Sequence, residues 1–201
     1  MPLLTIHDQP LPYVGRLPER PAGTVALVVI HCTELPDLAT ARRYGEKPLY
    51  DHGTGNSGHY YIDRDGAVYR YVPGTRIANH VRGHNRQSIG IELVNRGRYP
   101  LWWDSHHQQM TEPYTAAQTS ALRALLARLR QEFPNLQQIA GHEDLDTVLM
   151  PASDNPALEI HRKLDPGPLF PWATVLDGSG LTRIGAGHQG GISNNPAPGT
   201  G

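Results

Sequence analysis

Thr24-Val25-Ala26-Leu27-Val28-Val29-Ile30-His31 is the stretch that decides the fold. It is β-branched or apolar throughout until it meets a histidine, the pattern of a strand buried on both faces of a sheet. Ser88 to Val94 reads as a second interior strand, with one charge, Glu92, inside it. A carboxylate taken out of water needs a chemical reason. His59 to Asp63 and Ala67 to Val72 flank Arg64-Asp65-Gly66, whose Asp-Gly signals the turn of a β-hairpin. Gln137 to Ala140 is a short last strand leading into Gly141-His142. Leu122, Leu125, Leu126, Leu129 and Phe133 recur at helical spacing, after a capping box of Thr115 and Gln118 and before Pro134, so Thr115 to Phe133 is a helix. Leu38 to Tyr44 is a shorter one. Strands interspersed with helices predict an α/β single domain, a central mixed β-sheet flanked by helices, with ligands at the strand ends.

Working outward, residues 1–23 are rich in proline and without period, an extended N-terminal arm. Residues 24–176 form the domain, and 177–201, rich in Gly, Asn and Pro, read as a poorly packed tail. Glu143 to Ile160 reads as a long loop, able to close over a site or to lengthen its wall. The chain has 201 residues, 38% of them hydrophobic and 18% charged, enough for one core. A net charge of -1 supplies no field to draw nucleic acid or an anionic membrane. The single cysteine, Cys32, excludes an internal disulfide. No apolar run reaches the length of a membrane span, and Met1 to Pro12 lacks a secretion signal. The chain as given is therefore expected in the cytoplasm, or in the periplasm or outside the cell if a leader has been removed. Residues 177–201 offer no coherent apolar face for a partner, so a monomer is expected.

Eleven histidines raise the prospect of metal or proton chemistry. His31 closes the first strand, His142 follows the last, and Asp165 lies in Lys163-Leu164-Asp165-Pro166-Gly167. Two imidazoles and one carboxylate leave a coordination position open, the pattern of a catalytic zinc rather than a structural one. Their spacing is not a local motif, and a histidine at a strand end is more often a hydrogen-bonded structural residue.

Five ordered blocks carry further information: Val28-Val29-Ile30-His31-Cys32-Thr33, His59-Tyr60-Tyr61-Ile62-Asp63-Arg64-Asp65-Gly66, Ser88-Ile89-Gly90-Ile91-Glu92-Leu93, Ala140-Gly141-His142, and Arg162-Lys163-Leu164-Asp165-Pro166-Gly167-Pro168. In this order the chain resembles, over residues 24–172, the type 2 N-acetylmuramoyl-L-alanine amidases, which include recycling amidases, phage endolysins and animal peptidoglycan-recognition proteins. The resemblance implies their fold and hydrolysis of the bond between N-acetylmuramic acid and L-alanine in peptidoglycan or muropeptides. It puts one catalytic Zn²⁺ on His31, His142 and Asp165. It makes Glu92, its pKa raised by the apolar strand, the group that takes a proton from water and returns it to the leaving amine. Lys163 becomes the stabiliser of the oxyanion, and His59, His80 and Asn85 line the groove as supports or substrate contacts. Cys32 points away from His31 and reads as core.

The chain departs from the family in three places. Gly58 stands where phage members carry a tyrosine, which leaves the base role to Glu92. Asn79-His80 replaces a Trp-His that would stack on sugar, and the stretch from His142 to Lys163 is long. The alternative function is a recognition module that binds muropeptide without cutting it. Such a module is marked by a missing ligand, and here all three are present.

Overall fold

The computed structural model describes residues 4–185. In chain order the elements are β1 (Ile6–Asp8), β2 (Leu27–Cys32), α1 (Leu38–Glu46), β3 (Tyr60–Ile62), β4 (Val68–Arg70), β5 (Ser88–Leu93), α2 (Ala116–Glu132), β6 (Gln138–Gly141), α3 (His142–Leu145), β7 (Leu149–Pro151), β8 (Glu159–His161), α4 (Trp172–Leu176) and β9 (Thr182–Arg183). Seven of the strands form one mixed sheet in the order β1-β4-β3-β5-β2-β6-β9. β3 and β4 run antiparallel, and the other neighbours run parallel.

The central run, expected from Thr24, is strand from Leu27, with all six of its residues buried. Its side chains alternate between two faces. Val28 and Ile30 pack with Leu122, Leu125, Leu126, Leu129 and Phe133 beneath α2. Leu27 and Val29 meet Val81 and Ala140 on the other face. His31 continues this second face, and Cys32 the first. The capping box of α2 forms, with Gln118 N–H donating to Thr115 Oγ1 at 3.0 Å and Thr115 N–H to Gln118 Oε1 at 3.1 Å. Each fully buried leucine of this helix contributes about 1.5–3 kcal/mol. The hairpin β3–β4 turns at Gly66, whose φ of 86° favours glycine and whose missing Cβ would lie 2.9 Å from the Ala117 carbonyl oxygen.

Three segments differ from the sequence expectation. The arm is integral: β1 pairs with β4, and Leu11, Tyr13 and Leu17 are buried with Tyr61 and Tyr71. Proline spacing hides their common face. The stretch 143–160 contains α3 and the antiparallel hairpin β7–β8, held by Ser153 N–H on the Trp103 carbonyl at 2.7 Å and Ser105 N–H on Asp154 at 2.7 Å. It packs against the 103–105 turn and does not line the cleft described below, so it is a buttress rather than a wall or lid. The expected tail also holds structure, because β9 pairs with β6 and Leu181 is buried. Residues 186–201 lie outside the described ones. No helix among the described residues is long and apolar enough to cross a membrane.

Candidate active site

The carboxyl ends of β2, β5 and β6 converge at one edge of the sheet, where open α/β sheets bind ligands. Parallel register sets His31 of β2 beside Glu92 of β5 on the same face. β6 delivers His142 as the first residue of α3, where Asp144 accepts from Gly141 N–H at 2.8 Å. Asp165 is strapped on from outside the sheet: its carbonyl accepts from Glu143 N–H at 2.9 Å, and Tyr114 O–H donates to the Pro166 carbonyl at 2.7 Å.

His31 Nδ1, His142 Nδ1 and Asp165 Oδ2 form a triangle with edges of 3.0, 2.9 and 3.1 Å. All three residues are buried. Donor atoms about 2 Å from one ion stand about 3 Å apart, so the triangle fits a small divalent cation. Two further atoms, His142 Nε2 and Asp165 Oδ1, are buried with no hydrogen-bond partner among the described residues. Burial, only partly offset by the hydrogen bond to Asp165, lowers the His31 pKa to about 4 and keeps the ring neutral. Burial opposes ionisation of Asp165, but His142 and the close approach of both imidazole rings to Oδ2 outweigh it and hold the carboxyl well below its usual range. A neutral imidazole and an anionic carboxylate form the donor set that zinc favours.

Behind His31 the protons can be assigned one by one. If Nδ1 faces the ion, Nε2 carries the hydrogen and donates to His80 Nδ1, 3.0 Å away. His80 Nε2–H then donates to Ser88 Oγ at 3.1 Å, and Ser88 O–H to the His84 carbonyl at 2.7 Å. The His80 ring lies on Gly90, where a Cβ would come within 2.6 Å of it. Asn85 Oδ1 accepts from His80 N–H at 3.0 Å and Val81 N–H at 2.8 Å, fixing the loop that presents the ring.

His59 differs from its expected place in the groove. It is fully buried; its Nδ1 accepts from Gly90 N–H at 3.0 Å, so Nε2–H donates to the Arg76 carbonyl at 3.0 Å. Burial and the neighbouring Arg20 lower its pKa to about 3, and no face of it is left for substrate.

Glu92 opens on the cleft beside the triangle. Desolvation, with Asp165 adding repulsion and Lys163 opposing, raises its pKa well above the usual value. A Cβ on residue 58 would stand 2.8 Å from Glu92 Cγ, so Gly58 vacates the space that the glutamate fills. Lys163 lines the same cleft, with no hydrogen-bond partner for its ammonium among the described residues.

Sequence reasoning missed Ser88, Glu34 and Arg98. Ser88, a polar residue opening an apolar strand, carried a signal; the pair did not, because its members are 64 positions apart. Arg98 Nε donates to Glu34 Oε1 at 2.7 Å and Nη1 to the His161 carbonyl at 3.0 Å. It thereby joins the segment after β2 to the one that carries Lys163 and Asp165. Glu34 reaches it from a φ of 48°, uncommon for a residue other than glycine.

The cleft above these groups has a volume of about 610 Å³. Parallel strands ending in donors for a metal ion, with a carboxylate of raised pKa beside them, define the class: a hydrolytic centre on an α/β sheet. The family model for N-acetylmuramoyl-L-alanine amidase matches residues 21–168, and the chain belongs to that family. Its activity is that of an N-acetylmuramoyl-L-alanine amidase, a hydrolase of an amide bond. The chain is 33% identical over 126 residues to the 1,6-anhydro-N-acetylmuramyl-L-alanine amidase AmpD of Escherichia coli (strain K12), a match covering 58% of this chain and 55% of AmpD. The fold matches N-acetylmuramoyl-L-alanine amidase LysC from Clostridium intestinale URNW with a TM-score of 0.63 at 20% identity, covering 89% of this chain and 99% of LysC. It also matches the amidase AmiD from E. coli, solved with the substrate anhydro-N-acetylmuramic acid-L-Ala-D-γ-Glu-L-Lys, with a TM-score of 0.58 at 24% identity, covering 81% of this chain and 59% of AmiD.

Proposed function

We propose that this amidase cuts the bond between N-acetylmuramic acid and L-alanine in peptidoglycan or muropeptides, using one zinc ion held by His31, His142 and Asp165. The observation that carries the proposal is the buried donor triangle with Glu92 in register beside it. When bound, zinc supplies a Lewis acid and a water that ionises near neutral pH. Glu92, its raised pKa suited to the task, accepts a proton from the attacking water. The water oxygen bonds to the lactyl carbonyl carbon, and the Lys163 ammonium stabilises the charge that develops on the carbonyl oxygen. As the C–N bond breaks, Glu92 returns the proton to the nitrogen of L-alanine. His80 takes no part in these transfers and holds the His31 ring in one tautomer and orientation.

The test is release of free peptide from defined muropeptides by wild type, Glu92→Gln and chelator-treated protein. Chelator abolishes cleavage, zinc restores it, and Glu92→Gln lowers kcat by about 10²–10⁴-fold while retaining zinc. Binding without cleavage by zinc-loaded wild type refutes the proposal in favour of a recognition module.

A further inference from the structure

The order of the strands is a ruler across the cleft. At the β3 end lie Tyr61 of β3 itself, Asn56, and Asn79, whose side chain donates to the Gly55 carbonyl at 3.2 Å. Tyr50, 42% exposed on the cleft wall, joins this end through its hydroxyl, which donates to Asn56 Oδ1 at 2.6 Å. Glu92 and His31 stand in the middle, on β5 and β2. At the β6 end lie His142, Arg162 and Arg82. Arg82 belongs here because Val81, its neighbour, packs on Leu27, Val29 and Ala140 of β2 and β6. One end is thus aromatic and amide, the other guanidinium.

Both arginines sit on fixed backbone. Arg82 follows the His80-Val81 amides held by Asn85, and Arg20 donates to the Asn85, Arg86 and Ser88 carbonyls behind them at 2.8–2.9 Å. Arg162 is preceded by the carbonyl that Arg98 grips, and its own side chain pairs twice with Asp146, Nε with Oδ1 at 3.3 Å and Nη2 with Oδ2. Arg82 is exposed and has no ion-pair partner among the described residues. The two guanidiniums feel each other: after burial, Arg82 is the next cause lowering the Arg162 pKa. Two cations on one wall, of which Arg162 is paired with Asp146 and Arg82 is not paired among the described residues, leave an uncompensated positive charge that favours the arrival of an anion.

We infer that Arg82 and Arg162 form a carboxylate subsite at the β6 end of the cleft, which holds the acidic peptide of the substrate and so fixes the direction in which the substrate lies. This rests on the amidase reading above. On the carbonyl side of the scissile amide is an uncharged, hydroxyl-rich sugar, suited to tyrosine faces and amide side chains. On the nitrogen side L-alanine is followed by a γ-linked glutamate, whose α-carboxylate is free. Guanidinium recognises that group by paired, charge-assisted hydrogen bonds.

The experiment compares a muramoyl tripeptide bearing the free α-carboxylate with its α-carboxamide counterpart, reading KM and kcat by peptide release from the full zinc-loaded chain. Wild type shows a KM about tenfold lower for the acid, with most of the difference in KM rather than kcat. Arg82→Gln erases the difference, Arg82→Lys, which keeps the charge but not the paired donors, keeps only part of it, and added salt narrows it. Exposed Arg82 is the position to change, since Arg162→Gln would strand Asp146. Equal KM values in wild type, or a preference that survives Arg82→Gln, overturn the subsite while cleavage of both substrates leaves the amidase reading intact. Cleavage of neither sinks that reading and the subsite with it.

Discussion

At the scale of single residues, His31 is aimed by a chain of hydrogen bonds with only one consistent assignment of protons. His80 receives from His31 and passes its own hydrogen to Ser88, which passes its hydrogen to the His84 carbonyl. Removing such a support from a metal-binding histidine costs about 10–100-fold in metal affinity. His80→Ala is therefore expected to weaken zinc binding by that factor in competition with a chromophoric chelator. His80→Asn, whose carbonyl oxygen reaches the place of Nδ1, recovers part of the loss. Unchanged affinity in the alanine variant would show that the ring only packs on Gly90. Much of this site was visible in the residues. His31 and His142 stood out by their places at strand ends, Glu92 by its charge inside an apolar strand, and Asp165 by the family resemblance of the Lys163-Leu164-Asp165-Pro166-Gly167 segment. His59 shows where sequence reasoning stopped: a histidine in a family-like block carries the same letters whether it lines a groove or lies beneath one. Only the Gly90, Arg76 and Arg20 contacts decide.

At the scale of elements, the site is a joint between two structures that the sheet alone does not hold together. β2 brings His31, and the segment after β8 brings Lys163 and Asp165. The Glu34–Arg98 pair is a bolt between them, with the Arg98 side chain fully buried. Breaking a buried ion pair by deleting one partner costs about 3–5 kcal/mol, whereas deleting both charges is often close to neutral. Arg98→Met is expected to lower stability by that amount in urea unfolding, and Arg98→Met with Glu34→Met to recover most of it. A loss below about 1 kcal/mol in the single variant would mean that the pair is relaxed by solvent. The sequence made long or strongly patterned elements legible: β2 and β5 by continuous apolar runs, α2 by its leucines and capping box, β3–β4 by Asp65-Gly66. It hid β1, β7, β8 and β9, which have two or three residues each. Over so short a span, alternation between faces cannot be told from chance, and the pairing partner supplies the strand.

At the scale of the whole molecule, the family match begins at residue 21, but the stable unit begins earlier. Leu11, Tyr13 and Leu17 are 3% exposed, and Arg20 donates to the Gly74, Asn85, Arg86 and Ser88 carbonyls. Burying three such side chains is worth roughly 5–9 kcal/mol at about 1.5–3 kcal/mol each, comparable with the whole stability of a domain. A chain starting at residue 21 is expected to lose cooperative thermal unfolding in calorimetry. An unfolding midpoint within a few degrees of the full chain would show the segment to be dispensable. The same arrangement orders events during synthesis. Residues 11–20 are made well before the partners they dock on, Arg20 before Ser88 by 68 positions. At about 5–20 residues per second that interval is roughly 3–14 s. Until Tyr61, Tyr71 and Val72 follow within that interval, Leu11, Tyr13 and Leu17 lack most of the side chains that bury them, and they form a surface open to a nascent-chain chaperone.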